Sequence, residues 1–187
     1  MFKRTFKFVL ILFSSGLLIS CSGLFSDFND EKDPLLAEIE SIKKSTNYDM
    51  NNVKVMRNPE EWQGKMISLS GTVLSQPILG EVDEVFELRG TNDGYLTDMI
   101  VRLDKPLPKQ SNIGQAVKLV SQGKEVRIFG IVNGLKQIKT ESGTRRELPE
   151  LSCQIIYDRN DFYLERPLWI SRKLELRAAA KKSKTKQ

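Results

Sequence analysis

Residues 66–73, MISLSGTV, alternate apolar and polar: Ile67, Leu69 and Val73 share one phase, and Met66, Ser68, Ser70 and Thr72 the other. That two-residue period predicts a half-buried strand. Gly71 falls in the inward phase, where a glycine weakens a flat strand but lets it bend sharply or lets a neighbour come close. The phrase GKMISLSGTV (64–73) returns as GKEVRIFGIV (123–132), with Gly64/Gly123, Lys65/Lys124, Gly71/Gly130 and Val73/Val132 identical. In the second copy Val126, Ile128 and Val132 lie inward and Gly130 repeats the bend. Between the copies, VFELR (85–89) puts Phe86 and Leu88 in phase, and MIVRL (99–103) does so for Met99, Val101 and Leu103. NIGQAVKLVSQ (112–122) places Ile113, Val117 and Val120 near helical spacing. After the second copy come LKQIKT, a polar turn ESGT, and a last apolar run LSCQIIY (151–157).

Upstream, DPLLAEIESIKKS predicts a helix: Asp33 caps it, Pro34 suits the first position, and Leu35, Leu36, Ile39 and Ile42 form a stripe. NPEEW starts another short helix, with Asn58 as cap, Trp62 packing down, and Gly64 ending it.

The predicted order is strand, strand, strand, helix, strand, hairpin or loop, strand, which is the order of an OB-fold, a five-stranded Greek-key barrel. The motifs WQGK (62–65), GTV (71–73), QGKEVRIFGIVNG (122–134) and LSCQI (151–155) resemble the OB domain, similar to tRNA anticodon-binding domains, of uncharacterised bacterial exported proteins and lipoproteins. The resemblance covers about residues 53–157. It implies a mainly β, small five-stranded OB-type barrel with short helices, in which the first and fourth strands are neighbours. Adjacent, similarly bent strands would then account for the repeat.

The N-terminus changes the setting. MFKRTFKFVLILFSSGLLISC has a basic start and an apolar run from Phe8 to Ile19, too short to span a bilayer but of signal-peptide length. Its end, Leu18-Ile19-Ser20-Cys21, resembles the lipobox of bacterial lipoproteins. The resemblance implies cleavage between Ser20 and Cys21 and acylation of the Cys21 thiol. By the same resemblance, Ser22 in place of the Asp that marks inner-membrane retention implies sorting to the outer membrane. An ordinary secretory signal or an N-terminal anchor helix are the other readings of this segment. The division expected along the chain is a lipoprotein signal peptide over 1–20, a tether over 21–33, helix and connector over 34–52, the barrel over 53–165, and a basic tail over 166–187. If Cys21 carries lipid, Cys153 has no partner and is expected to be a buried free thiol.

Composition narrows the chemistry. Of 187 residues none is histidine, which excludes Ser-His-Asp, Cys-His and histidine-based zinc sites. No phosphate loop, metal cluster or nucleophile motif is present, so no catalysis, cofactor or metal is expected. The net charge of +5 lies at the ends: residues 1–20 are +3, 166–187 are +7, and the body between them is −5. The body is therefore no obvious phosphate binder. An OB barrel takes ligands on its second and third strands and nearby loops. The outward positions there are Val85, Glu87, Arg89, Ile100 and Arg102, without an aromatic platform for bases. Arg89 and Arg102, with Lys136 and Lys139 from the loop between the last two strands, are the candidate ligand-binding residues. The expectation is a bacterial cell-envelope module held to the membrane through Cys21 and binding an envelope protein, with oligosaccharide or nucleic acid as the alternative ligand and an enzyme as the third. The basic tail is expected to be solvated or to touch anionic lipid or cell-wall polymer.

Overall fold

In the computed structural model β1 (Met66–Val73), β3 (Glu84–Asn92), β4 (Tyr95–Leu103), β7 (Glu125–Lys139) and β8 (Arg145–Asp158) pair in a closed circuit, with the short β2 (Ile78–Leu79) beside β3. β1 pairs antiparallel with β7, β7 with β8, β8 runs parallel to β4, β4 pairs with β3, and β3 returns to β1. The described residues are 33–48, 52–75, 78–79, 84–92, 95–107, 109–112, 115–118, 120–139 and 145–185. The segments expected to be signal peptide and tether, with Ser20 and Cys21, lie outside them, up to residue 32. Residues 32–187 form one compact unit, mainly β and consistent with an OB-like fold. No helix among the described residues is long and apolar enough to cross a membrane.

The repeat is a reciprocal contact. In the β1–β7 ladder Gly71 faces Val126 and Gly130 faces Ile67, with Leu69 opposite Ile128 at the centre. Each copy's glycine thus sits against the equivalent apolar residue of the other copy. Gly71 is also the point where β1 passes from β7 to β3, pairing with Gly90. A Cβ on Gly71 would stand 2.5 Å from the Arg89 carbonyl oxygen, so only glycine permits that closure.

Two apolar cores result. Inside the barrel, Ile67, Leu69, Val73, Phe86, Leu88, Met99, Val101, Leu103, Val126, Ile128 and Val132 pack together, as the alternation predicts, and Leu151 of the last apolar run joins them. Val55, from the unpredicted helix α2 (Asn52–Arg57), adds to them, and α3 (Pro59–Trp62) brings Trp62 against their edge. The second core lies outside the barrel, where Phe129, Ile155 and Tyr157 meet Ile39 and Ile42 of α1 (Pro34–Ser45) and Leu174 of α4 (Arg172–Thr185). Asp33 caps α1 as expected, its carboxylate accepting the Leu35 N–H. Leu36, counted in the predicted stripe, is instead exposed.

Two expectations change. The helix expected over 112–122 is a hairpin, β5 (Lys109–Asn112) paired antiparallel with β6 (Gln115–Lys118). Three apolar residues spaced four and three apart could not outweigh Gly114 between the first two of them. The fold also continues past residue 165. β9 (Pro167–Ile170) pairs with β8, putting Trp169 into the barrel core, and α4 packs on α1. Ser171 Oγ accepts the Leu174 N–H, and the Asp104 carboxylate accepts the N–H groups of Arg172 and Lys173, so the start of α4 is capped twice. Buried Glu38 of α1 meets Arg177 and Lys181 of α4 across the helix pair.

Candidate interaction surface

With Phe86, Leu88, Met99, Val101 and Leu103 turned inward, Val85, Glu87, Arg89, Asp98, Ile100 and Arg102 occupy the outer face of β3 and β4. Ile100 is outward as predicted but only 2% exposed, so it belongs to the packing of that face and not to its contact area. Its ladder partners are Glu87 and Glu150, and the charged residues around it make a connected network.

Two carboxylates organise the network, and each is held by two cations. Asp98 receives Arg89 Nε at 2.9 Å and Arg146 Nη2 at 3.0 Å. Glu150 receives both Arg102 Nε and Nη2 at 3.2 Å, Lys136 Nζ at 3.0 Å, and Asn133 Nδ2 at 3.0 Å. Asn133 in turn exchanges hydrogen bonds with Ser152 Oγ. The side chains of Asp98 and Glu150 are each 11% exposed. Burial raises the pKa of Glu150, but the hydrogen bonds from Arg102, Asn133 and Lys136 more than offset it, and the carboxyl settles at about 2. Asp98 follows the same pattern: burial opposes ionisation, Arg89 and Arg146 win, and its pKa falls.

Of the four candidate residues, Arg89, Arg102 and Lys136 therefore share one face, and each is bonded to a carboxylate. Lys139 pairs with Arg145 in the β7–β8 ladder, and its side chain is outside the described residues. The loop expected to carry Lys136 and Lys139 is largely strand, because β7 and β8 run on as a ribbon, pairing Leu135 with Pro149 through to Lys139 with Arg145. Asp98 and Asn133 were not singled out from sequence. The signal that could have found them was weak: a lone acid in MIVRL's approach and an Asn between two glycine-flanked apolar runs.

Beside this face, a groove of about 620 Å³ lies between the β7–β8 sheet and α4, with Ile131, Ser152 and Gln154 on one wall and Lys173, Leu176 and Arg177 on the other. Cys153 is a buried free thiol, and burial pushes its pKa well up, with Asp104 adding to the shift. On the outer core, Tyr48 meets Phe129 edge-on and Phe129 meets Tyr157 likewise. Burial, with Asp161 and Tyr48 nearby, pushes the Tyr157 phenol up to about 12. Among the described residues no three Cys, Asp or Glu side chains come together as a metal-ligand set.

No protein-family model matches the chain, and no curated protein does. Among solved structures it is similar to the mitochondrial single-stranded DNA binding protein Rim1 of S. cerevisiae, at 11% identity and a TM-score of 0.34, over 51% of this chain and 94% of that one.

Proposed function

We propose that the chain is a lipid-anchored bacterial cell-envelope lipoprotein, acylated at Cys21 and sorted to the outer membrane, whose OB-like barrel is a non-catalytic module for binding an envelope protein. The anchor reading is supported by the sequence LISC behind a basic start and a short apolar run. The module reading is carried by the Asp98 and Glu150 network. A carboxylate that works as an acid or base needs a pKa near its operating pH. Both carboxylates are instead locked in the ionised form by fixed cations, an arrangement suited to presenting a set charge pattern to a partner. The exposed Lys182 and Lys184 of α4 would add weak attraction to anionic lipid or cell-wall polymer.

Incorporation of labelled fatty acid into the full chain, lost in Cys21→Ala, tests the anchor. A photo-crosslinking residue in place of Lys136 tests the module: a discrete protein adduct supports the reading, whereas a polymer adduct supports oligosaccharide binding. Micromolar binding of a single-stranded oligonucleotide by residues 33–187 at physiological salt would replace the reading with nucleic-acid recognition.

A further inference from the structure

Phe162 and Tyr163 stand 82% and 83% exposed on the segment that joins β8 to β9. Exposed aromatics are often a sign of a floppy loop, but this one is held by its own hydrogen bonds. Asp158 Oδ1 accepts the Asn160 N–H at 3.0 Å, and Asp161 Oδ2 accepts the Arg166 N–H at 2.9 Å. The Asp161 carbonyl accepts the Leu164 N–H at 3.2 Å, and Lys43 Nζ of α1 donates to the Leu164 carbonyl. Leu164 adopts φ +54°, a left-handed conformation that a leucine keeps only when its surroundings enforce it. Its side chain packs against the outer core with Ile39, Ile42 and Tyr157. The base of the loop is thus fastened to the sheet and to α1, while two neighbouring rings are left in water.

We propose that Phe162 and Tyr163 form a bilayer-contact tip, the rings entering the boundary between headgroups and acyl chains and so orienting the domain on the membrane. This rests on acylation of Cys21. The chain's reach selects the bilayer as occupant. Only about twelve residues separate Cys21 from Asp33, roughly 40 Å when fully extended. The twelve-residue α1 then spans about 18 Å to the end where Lys43 holds the loop. A tip at the end of that arm lies at most roughly 60 Å from Cys21, so a bilayer holding the lipid is within its reach. Its composition matches the site: Phe supplies an apolar ring and Tyr an amphipathic one with a hydroxyl for the headgroup level. Lys44, next to Lys43, and Arg166, at the foot of the loop, are both exposed. Of the loop's acids, Asp161 is engaged with backbone N–H groups, and Glu165 remains exposed. Lipid on Cys21 provides stable attachment; the tip sets orientation.

Flotation with vesicles of phosphatidylethanolamine and phosphatidylglycerol tests the tip without the anchor, using residues 33–187, which contain both cores. Three versions are compared: the parent, Phe162→Ser with Tyr163→Ser, and Tyr163→Trp. The parent should float weakly, and the double substitution should reduce partitioning by about tenfold or more. The Tyr163→Trp indole should shift its emission to the blue and be quenched by brominated acyl chains. Because both side chains are exposed, thermal unfolding should be unchanged, which separates lost contact from lost fold. Absence of parent flotation, equal flotation of the double variant, or an unquenched Tyr163→Trp each overturns the proposal. So does a concentration-dependent dimer abolished by the double variant, which would give the rings to a second copy of the chain. Failure of Cys21 acylation would appear separately, as an unlabelled full chain.

Discussion

Replacing Glu150 with Gln should destabilise the domain at neutral pH and do so progressively less as the solution is acidified. Glutamine keeps the shape and one acceptor but removes the charge that Arg102 and Lys136 share. The carboxyl lies at about 2 against an ordinary 4.5, which corresponds to roughly 3 kcal/mol at ~1.4 kcal/mol per tenfold change in proton affinity. Lys136 is 45% exposed, so water screens part of that attraction, and ~2 kcal/mol is the working magnitude. The sign follows from linkage. A depressed folded-state pKa stabilises fully above the unfolded value of 4.5 and loses its effect as pH falls from there toward about 2. By about pH 3.5 close to half of the contribution should be gone. Urea unfolding of parent and Glu150→Gln at pH 7, about 4.5 and about 3.5 measures this directly. A gap between the two proteins that is constant across that range would refute the reasoning, and a gap near zero at pH 7 would show the network to be solvent-screened throughout.

Three further outcomes are expected. Gly71→Ala places a Cβ 2.5 Å from the Arg89 carbonyl at the barrel closure, so it should cost about 3 kcal/mol or prevent folding, whereas Gly123→Ala, in open space but at φ +84°, should cost only ~1 kcal/mol; equal melting shifts would count against the closure. Leu174→Ala removes a fully buried contact between α4 and the outer core and should cost about 2–5 kcal/mol by chemical denaturation, while an exposed Leu176→Ala should be near neutral; a neutral Leu174→Ala would return α4 to the status of a solvated tail. Native protein should react with thiol reagents at Cys153 far more slowly than denatured protein, and rapid native labelling would contradict its burial.

The barrel was legible because its strands obey a two-residue period and its repeat marks two strands that touch. Ile67, Leu69, Val126 and Ile128 had to face one way for the alternation to hold, and they do. The helix pair was half legible. α1 carried cap, proline and stripe, all local signals. α4 carried none of comparable strength, since only Leu174 and Ala178 turn inward among its long run of charges, and an exposed Leu176 blurs the face. What makes α4 a packed helix is tertiary: Asp104, from the end of β4, caps it, and Glu38, from α1, meets its cations. Neither partner is visible from the sequence of the tail itself. The hairpin at 109–118 is the reverse case: a few apolar residues at helical spacing imitate a helix, while Gly114 among them disfavours one.

The surface was legible in its residues and not in its state. Arg89, Arg102 and Lys136 were identifiable as cations on the outer face, yet read alone they look available to an anion. Their availability is decided by pairing: Arg89 meets Asp98 across the β3–β4 ladder, Lys136 meets Glu150 across the β7–β8 ribbon, and Arg102 reaches Glu150 across 48 residues of sequence because β8 runs parallel to β4 with Ile100 opposite Glu150. A one-residue slip in that register would turn Glu150 toward the core and leave the cations unmatched. The same dependence explains why composition could not distinguish a phosphate-binding face from one whose cations are already paired: both need the same residues, and the ladder alone assigns each charge its partner. An anionic ligand seeking Arg102 must therefore displace a carboxylate already held by two nitrogens, which makes this face better fitted to a partner that reads its existing charge pattern than to one that would dismantle it.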